Sequence, residues 1–234
     1  MGKRLLLLLL TILLTSACSK PGGTPTPVYE NQASSNIIPL PAPVSESDIS
    51  IEEALANRRS VREFKDETLQ LSEISQLLWA AQGISHESGK RTAPSAGALY
   101  PLEIYLITGQ SPGLEEGVYK YLPLEHALLH TSDFTLRSEL AAAALNQEPV
   151  RDAPVLLLIC AVYERTTEKY GDRGQRYVHM EVGFASQNIY LQAESLGLGT
   201  VFIGAFYEDQ VKEILDLPDD ETPLGLMPVG KILE

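Results

Sequence analysis

The chain has 234 residues, 44% of them hydrophobic and 21% charged, which suits one globular domain with appendages. A formal net charge of −13 argues against nucleic-acid binding, which needs a basic face. The two cysteines, Cys18 and Cys160, exclude a disulfide framework and a zinc-cysteine cluster. Of the four histidines only His126 and His130 have a helical metal-ligand spacing, but their run reads as strand, so surface histidines on a hairpin and no metal site are expected.

Residues 1–18 read as an export signal. Lys3 and Arg4 precede an apolar run, Leu5 to Leu14, that is too short to span a bilayer. Thr15-Ser16-Ala17-Cys18 follows and resembles a bacterial lipoprotein signal, with Thr15 where leucine is usual; the resemblance implies lipid on the Cys18 thiol. A plain secretory signal with a chance cysteine is the other reading. Residues 19–46 carry Pro21, Pro25, Pro27, Pro39, Pro41 and Pro43 among small polar residues and read as a semi-rigid linker. The domain is expected over 47–234.

Ser50 to Glu53 fits a capping box that opens a short helix. This helix leads into Arg58-Arg59-Ser60-Val61-Arg62-Glu63-Phe64. In an extended segment Arg58, Ser60 and Arg62 fall on one side, and two guanidinium groups flanking a hydroxyl suit a phosphate monoester. A solvated basic turn is the competing reading of the stretch taken alone. Ser72 to Gln82 is predicted as a helix with Ile74, Leu77, Leu78 and Ala81 on one face and Gly83 as its stop. The turn-rich run Pro94 to Pro101 leads to a strand at 103–107, then strand-like runs at 117–121 and 127–130. Leu136 to Leu145 is predicted helical, and Pro154 to Val162 is a central strand in which Cys160 is a small core hydrophobe. Gly171 to Gln175 reads as a charged loop. Tyr177 to Leu196 is the longest predicted helix, apolar on more than one face, and so either central or paired with a second subunit. Gly197 to Gly204 leads into a strand, Asp209 to Leu215 is a short helix, and Pro223 to Gly230 is the last strand.

Six stretches in order resemble the FMN-dependent nitroreductase-like family, and within it the SagB-type dehydrogenases. They are Arg58 to Phe64, Pro94 to Pro101, Gly117 to Tyr121, Lys169-Tyr170-Gly171, Gly197 to Thr200 with Ile203-Gly204, and Pro228 to Lys231. The resemblance implies an α+β fold, a three-layer α/β/α domain with a mostly antiparallel central sheet. It also implies a homodimer with FMN at each of two interface sites. Arg58, Arg59, Ser60 and Arg62 would hold the phosphate and ribityl chain. Pro94, Ser95, Ala96 and Gly97 would line the isoalloxazine from the second subunit. Gly197, Leu198 and Gly199 would bring backbone N–H groups to the ring, since glycine has no Cβ to block the approach. Lys231 would add a cation, or else be a frayed terminal residue. Lys169 and Tyr170, catalytic by resemblance, would transfer protons, against a plain solvated loop pair.

The chain departs from the family in two expected ways: it is exported rather than cytoplasmic, and it lacks both a peptide-docking domain and a C-terminal arm. The expectation is therefore an extracytoplasmic, lipid-anchored FMN oxidoreductase that moves a hydride between small molecules. The alternative is a non-catalytic flavin- or ligand-binding lipoprotein.

Overall fold

The fold is that of a computed structural model in which residues 36–109 and 111–233 are described. The expected signal, Cys18 and the linker up to residue 35 lie outside the described residues. The strand β5 (Val155–Ala161) is the centre of the sheet, and all seven of its residues are buried. Its side chains alternate between two cores: Val155, Leu157, Ile159 and Ala161 face one, and Leu156, Leu158 and Cys160 face the other. A strand covered on both faces has no polar side, which explains its unbroken apolar sequence. Burial also pushes the Cys160 thiol well above its ordinary range, so it stays a neutral core group.

Antiparallel neighbours build outward from β5. On one side lie β2 (Leu102–Thr108), β3 (Gly117–Leu122), β4 (Ala127–Ser132) and the edge strand β1 (Ile37–Pro39). On the other lie β7 (Thr222–Lys231) and β6 (Leu198–Thr200), giving the order β1-β4-β3-β2-β5-β7-β6. On one face pack α2 (Leu71–Gln82) and α6 (Arg173–Ser195), through Ile74, Leu77, Leu78, Val178, Val182, Ala185 and Ile189. Full burial of one such aliphatic side chain contributes about 1.5–3 kcal/mol. The other face carries α3 (Arg137–Ala143), α4 (Glu148–Asp152) and α7 (Glu208–Ile214), through Leu140, Val150 and Val211. This is the expected three-layer α+β arrangement.

Several expectations need correction. The linker does not extend to residue 46, because Ile37–Pro39 pairs with Leu129–Ala127 as β1. Pro39 is tolerated there because an edge strand can dispense with one donor. Beyond β1, Gln76 receives Val44 N–H at 2.9 Å and donates to Val44 O at 3.0 Å, so a side chain replaces the missing ladder. His126 is no mere surface histidine. Its ring lies 2.9 Å from Tyr121 Oη, 2.8 Å from Ser75 Oγ and 2.9 Å from Pro41 O, which ties the same segment to the sheet. Among the described residues no cluster of potential metal ligands occurs.

The expected loop at 171–175 shrinks to a turn at Gly171 and Asp172. Before it lies an unforeseen helix, α5 (Glu164–Tyr170), and α6 begins at Arg173, earlier than expected. Two glycines account for this. Gly171 adopts φ +57 to break the helix, and a Cβ on Gly174 would lie 2.8 Å from Thr167 Cα, so only glycine lets α5 and α6 come so close. The α1 helix (Ile51–Asn57) packs beside α6, with Ser50 Oγ accepting Glu53 N–H at 3.1 Å as expected of an N-cap.

Candidate functional site

The arginine segment leaves α1 at Arg58 and runs extended beside β6. Ser60 bridges Thr200 in parallel, Val61 N–H donates to Thr200 O at 2.9 Å, and Phe64 bridges Ile232. The segment thus adds a rim to the sheet edge. Its side chains separate by alternation, as an extended chain requires. Arg58 and Ser60 both reach Tyr190 of α6: the Arg58 guanidinium lies 5.0 Å from the ring centroid, and Ser60 Oγ lies 3.3 Å from the hydroxyl. Arg62 is exposed and has no hydrogen bond or ion pair among the described residues. Arg59 turns back instead and donates to Ala56 O, Asn57 O and Arg58 O, capping the carbonyl end of α1. Its position fits a helix cap better than a place beside Arg58.

The glycines near this rim have a reason within the chain itself. A Cβ on Gly199 would lie 2.6 Å from Val61 Cγ1, and one on Gly230 would lie 2.8 Å from Phe64 Cβ. Leu198 and Gly199 are buried in the β6–β7 ladder, paired with Lys231 and Gly230. The expectation that this backbone stands open to a ring is therefore corrected for Leu198 and Gly199; Gly197, exposed at φ +67, remains open. Lys231 is not frayed: it is an ion-pair partner of Glu73, whose other oxygen accepts Gln70 N–H at 2.8 Å. Beyond β6, Tyr190 Oη accepts Phe202 N–H at 2.7 Å, so one tyrosine links the rim to the strand's continuation at Phe202-Ile203-Gly204. Tyr190 was not foreseen; its only signal was a polar-tipped aromatic on a helix, between Ile189 and Leu191.

The second group centres on the loop from Pro94 to Tyr100. Gly97, Ala98 and Tyr100 all have positive φ, at +66, +55 and +48. Two of these are not glycine, so the conformation is costly and must be held by its surroundings. Ala96 N–H donates to Glu181 Oε1 at 2.8 Å, Tyr100 N–H donates to Ser95 Oγ at 2.8 Å, and Arg165 Nη1 donates to Tyr100 O at 3.1 Å. Arg165 also pairs with Glu103, and the Arg91 guanidinium lies 4.6 Å from the Tyr100 ring centroid. Burial keeps the Arg91 pKa below its ordinary value and raises that of the Glu181 carboxyl, against the opposing pull of Ala96 N–H, Ser95 and Arg91.

Lys169 and Tyr170 arrive from the last turn of α5, not from a loop. A Cβ built on Gly97 would lie 2.8 Å from Tyr170 Oη and 2.9 Å from Lys169 Nζ. The two groups expected to transfer protons therefore meet the loop expected to line the cofactor. Tyr170 stacks edge-on against Tyr177, with centroids 5.1 Å apart. Beside them Pro94, Ala96, Tyr177, Met180 and Phe184 wall a pocket of about 250 Å³ with Glu181 at its floor.

These two groups lie on opposite sides of α6. Glu181 and Tyr190 are nine residues apart on α6, which is about 14 Å along the axis and about two and a half turns, so they project to opposite sides. Between them, Met180 (50% exposed), Phe184 (46%) and the half-buried Leu191 form an apolar stripe along the outer face of α6. Exposed Ile51 and Leu55 add to it from α1.

Residues 55–231 match the nitroreductase family, and the chain belongs to that family. Among its relatives is the nitroreductase-like protein MJ1384 of Methanocaldococcus jannaschii, 54% identical over 187 residues that cover 80% of this chain and 93% of that one. Another is the microcin B17-processing protein McbC of Escherichia coli, 30% identical over 145 residues that cover 60% of this chain. That match spans 53% of McbC, about half its length. A crystal structure of a nitroreductase-like protein from Ralstonia eutropha superposes with a TM-score of 0.74 at 29% identity, covering 85% of this chain and 90% of that one.

Proposed function

We propose that this chain is an FMN-dependent oxidoreductase of the SagB-type dehydrogenase kind, acting on small molecules as a homodimer. The observation that carries the reading is the convergence of Lys169 Nζ and Tyr170 Oη on the open Cα of Gly97. Proton donors brought over a bare backbone position, beside a walled pocket, suit a reaction in which a hydride and a proton move separately.

The residues present fit the cofactor. Arg58, Ser60 and Arg62 offer charge-assisted donors on one rim, and Arg guanidinium groups suit phosphate oxygens. Beside them the Thr200 hydroxyl is buried without a hydrogen-bond partner among the described residues, so polar capacity is left over at that rim. When bound, FMN would supply a ring able to accept and release a hydride. The chain's own part is to bind and orient: Arg58 and Arg62 hold the anionic end, Tyr190 braces Arg58, and Lys169 and Tyr170 hold a proton at Nζ and Oη. Because the rim and the loop lie on opposite sides of α6, the loop of a second copy would complete each site. The stripe of Met180, Phe184 and Leu191 is the surface on which that copy would pack.

The place of action we propose is outside the cytoplasmic membrane, tethered through Cys18. Membrane fractionation of wild type and Cys18→Ala tests it: loss of membrane association in the variant is expected, and an unprocessed cytosolic protein in both overturns it.

The test of function is the absorbance spectrum and turnover of the full chain reconstituted with FMN. Flavin bands that bleach with a donor and return with an acceptor are expected. Lys169→Ala and Tyr170→Phe should keep the flavin and each lose on the order of 10²-fold in turnover, the lower range for a general acid or base. Failure to bind FMN, or unchanged turnover in both variants, overturns the proposal.

A further inference from the structure

The buried acid of α6 has no part in the steps above. Glu181 is 2% exposed and sits on a helix whose neighbouring buried positions are Val178, Val182 and Ala185. An ionised carboxylate in such a place is unfavourable unless it is hydrogen-bonded. All of the polar contacts described for it lead to one object, the 94–100 loop. Oε1 accepts Ala96 N–H at 2.8 Å, and Ser95, next to Ala96, joins it in opposing the rise of the carboxyl pKa. Ser95 Oγ accepts Tyr100 N–H at 2.8 Å and closes the tight turn that Glu181 holds at Ala96. Arg91, half-buried, is the charged group that faces it.

We infer that Glu181 is a positioning residue: its carboxylate clamps Ala96 N–H so that Gly97 is presented beneath Lys169 Nζ and Tyr170 Oη. The inference rests on the reading of that pocket as the reaction site. Its physical basis is the strain in the loop. Positive φ at Ala98 and Tyr100 persists only where the surroundings over-determine the backbone. Without Glu181 the Ala96 N–H loses its acceptor and the turn is free to relax away from α5. Arg165 pins the far end, at Tyr100 O, from the same helix that carries Lys169 and Tyr170. The loop is thus held from α6 at one end and from α5 at the other, and its Gly97 lies where the two catalytic candidates converge. Glu181 lines the pocket, but its hydrogen bond is to the loop, at Ala96 N–H.

The test uses the full chain, with Glu181→Gln, Glu181→Leu, Glu181→Ala and Ser95→Ala. Glutamine keeps an oxygen for Ala96 N–H and leucine does not. Amide hydrogen exchange in the flavin-free protein is read over residues 94–100 and, as a control, over 155–161. In Glu181→Leu the loop should exchange at least about tenfold faster while β5 is unchanged, and Glu181→Gln should stay within about threefold of wild type, consistent with local opening. With FMN bound, Glu181→Leu should lower kcat by about tenfold or more with KM little changed, since displaced catalytic groups cost rate more than binding. Ser95→Ala should accelerate exchange at Tyr100 alone, and Glu181→Ala, which also removes the acceptor of Ala96 N–H, carries the test if Glu181→Leu fails to fold. Unchanged loop exchange in Glu181→Leu, or in Glu181→Ala where that variant is the one read, overturns the clamp. So does a Glu181→Gln variant as impaired as the leucine one. Absence of turnover in wild type would overturn the oxidoreductase reading instead, and the flavin-free exchange still decides whether the clamp exists.

Discussion

Three arginines within five residues have three different surroundings. Arg58 lies on Tyr190, Arg59 closes the end of α1, and Arg62 projects into solvent. The substitutions should therefore separate. Arg58→Ala and Arg62→Ala should each weaken FMN binding by about 1.5–3 kcal/mol, the range for a hydrogen bond to a charged group. Arg59→Ala should leave flavin affinity nearly unchanged. Titration of the three variants, followed by flavin fluorescence, checks this; an Arg59 effect as large as the others would put that residue on the phosphate after all. Glu181 gives a second prediction at this scale. Burial raises its pKa above the unfolded value, so the proton is bound more tightly in the folded chain. Its contribution is then most favourable below the ordinary carboxylate pKa, about 4.3, and is lost as pH rises through the folded value. Glu181→Gln does not titrate, so its Tm should match wild type most closely near pH 4 and gain on it toward pH 8. Thermal melts across that range check the sign, and a variant that loses ground as pH rises would contradict it.

At the scale of elements, the sheet edge depends on missing side chains. Val61 of the arginine segment sits on Gly199, and Phe64 on Gly230. Gly199→Ala should cost about 1–3 kcal/mol, the usual penalty for overpacking, because its Cβ collides with a branched side chain. The loss should fall most heavily on the arginine rim, so FMN affinity should drop with it. Val61→Ala in the same chain should restore part of both, since it removes the methyl groups nearest the clash. Denaturant melts and flavin titration of the single and double variants decide this, and purely additive losses would show that the contact does not position the rim. Much of the element pattern was legible beforehand. The apolar run of β5, the i, i+3, i+4 face of α2 and the Ser50 cap were all visible because each depends on near neighbours in sequence. The helix α5 was not: Glu164 to Tyr170 has no apolar periodicity, and it is held by a close approach to α6 that the residues before Gly174 do not announce.

At the scale of the whole molecule, the two halves of the candidate site flank α6 and an apolar stripe runs between them. Phe184→Glu would place a charge at the middle of that stripe. It should dissociate the proposed dimer and, by separating each rim from the second copy's loop, lower FMN affinity as well. Light scattering and flavin titration on the same samples check the coupling. A flavin-loaded monomer, in the variant or in wild type at low concentration, would show that one chain suffices.

The arginine segment could be picked out from the sequence because its chemistry is carried by side-chain type and short spacing, whereas the 94–97 loop and the Lys169–Tyr170 pair were singled out only by the family resemblance. The two-sided burial of β5 could be read too, since it needs no knowledge of its partners. The role of each glycine could not. Gly199 answers to Val61 and Gly97 to Tyr170, contacts that span more than seventy residues of chain. Nor could the sequence show that Arg59 caps a helix, that Glu181 holds the loop, or that the two halves of the site lie on opposite sides of α6. These are matters of direction and distance between elements far apart in sequence, and they are decided only when packing of the two cores sets the helices against the sheet.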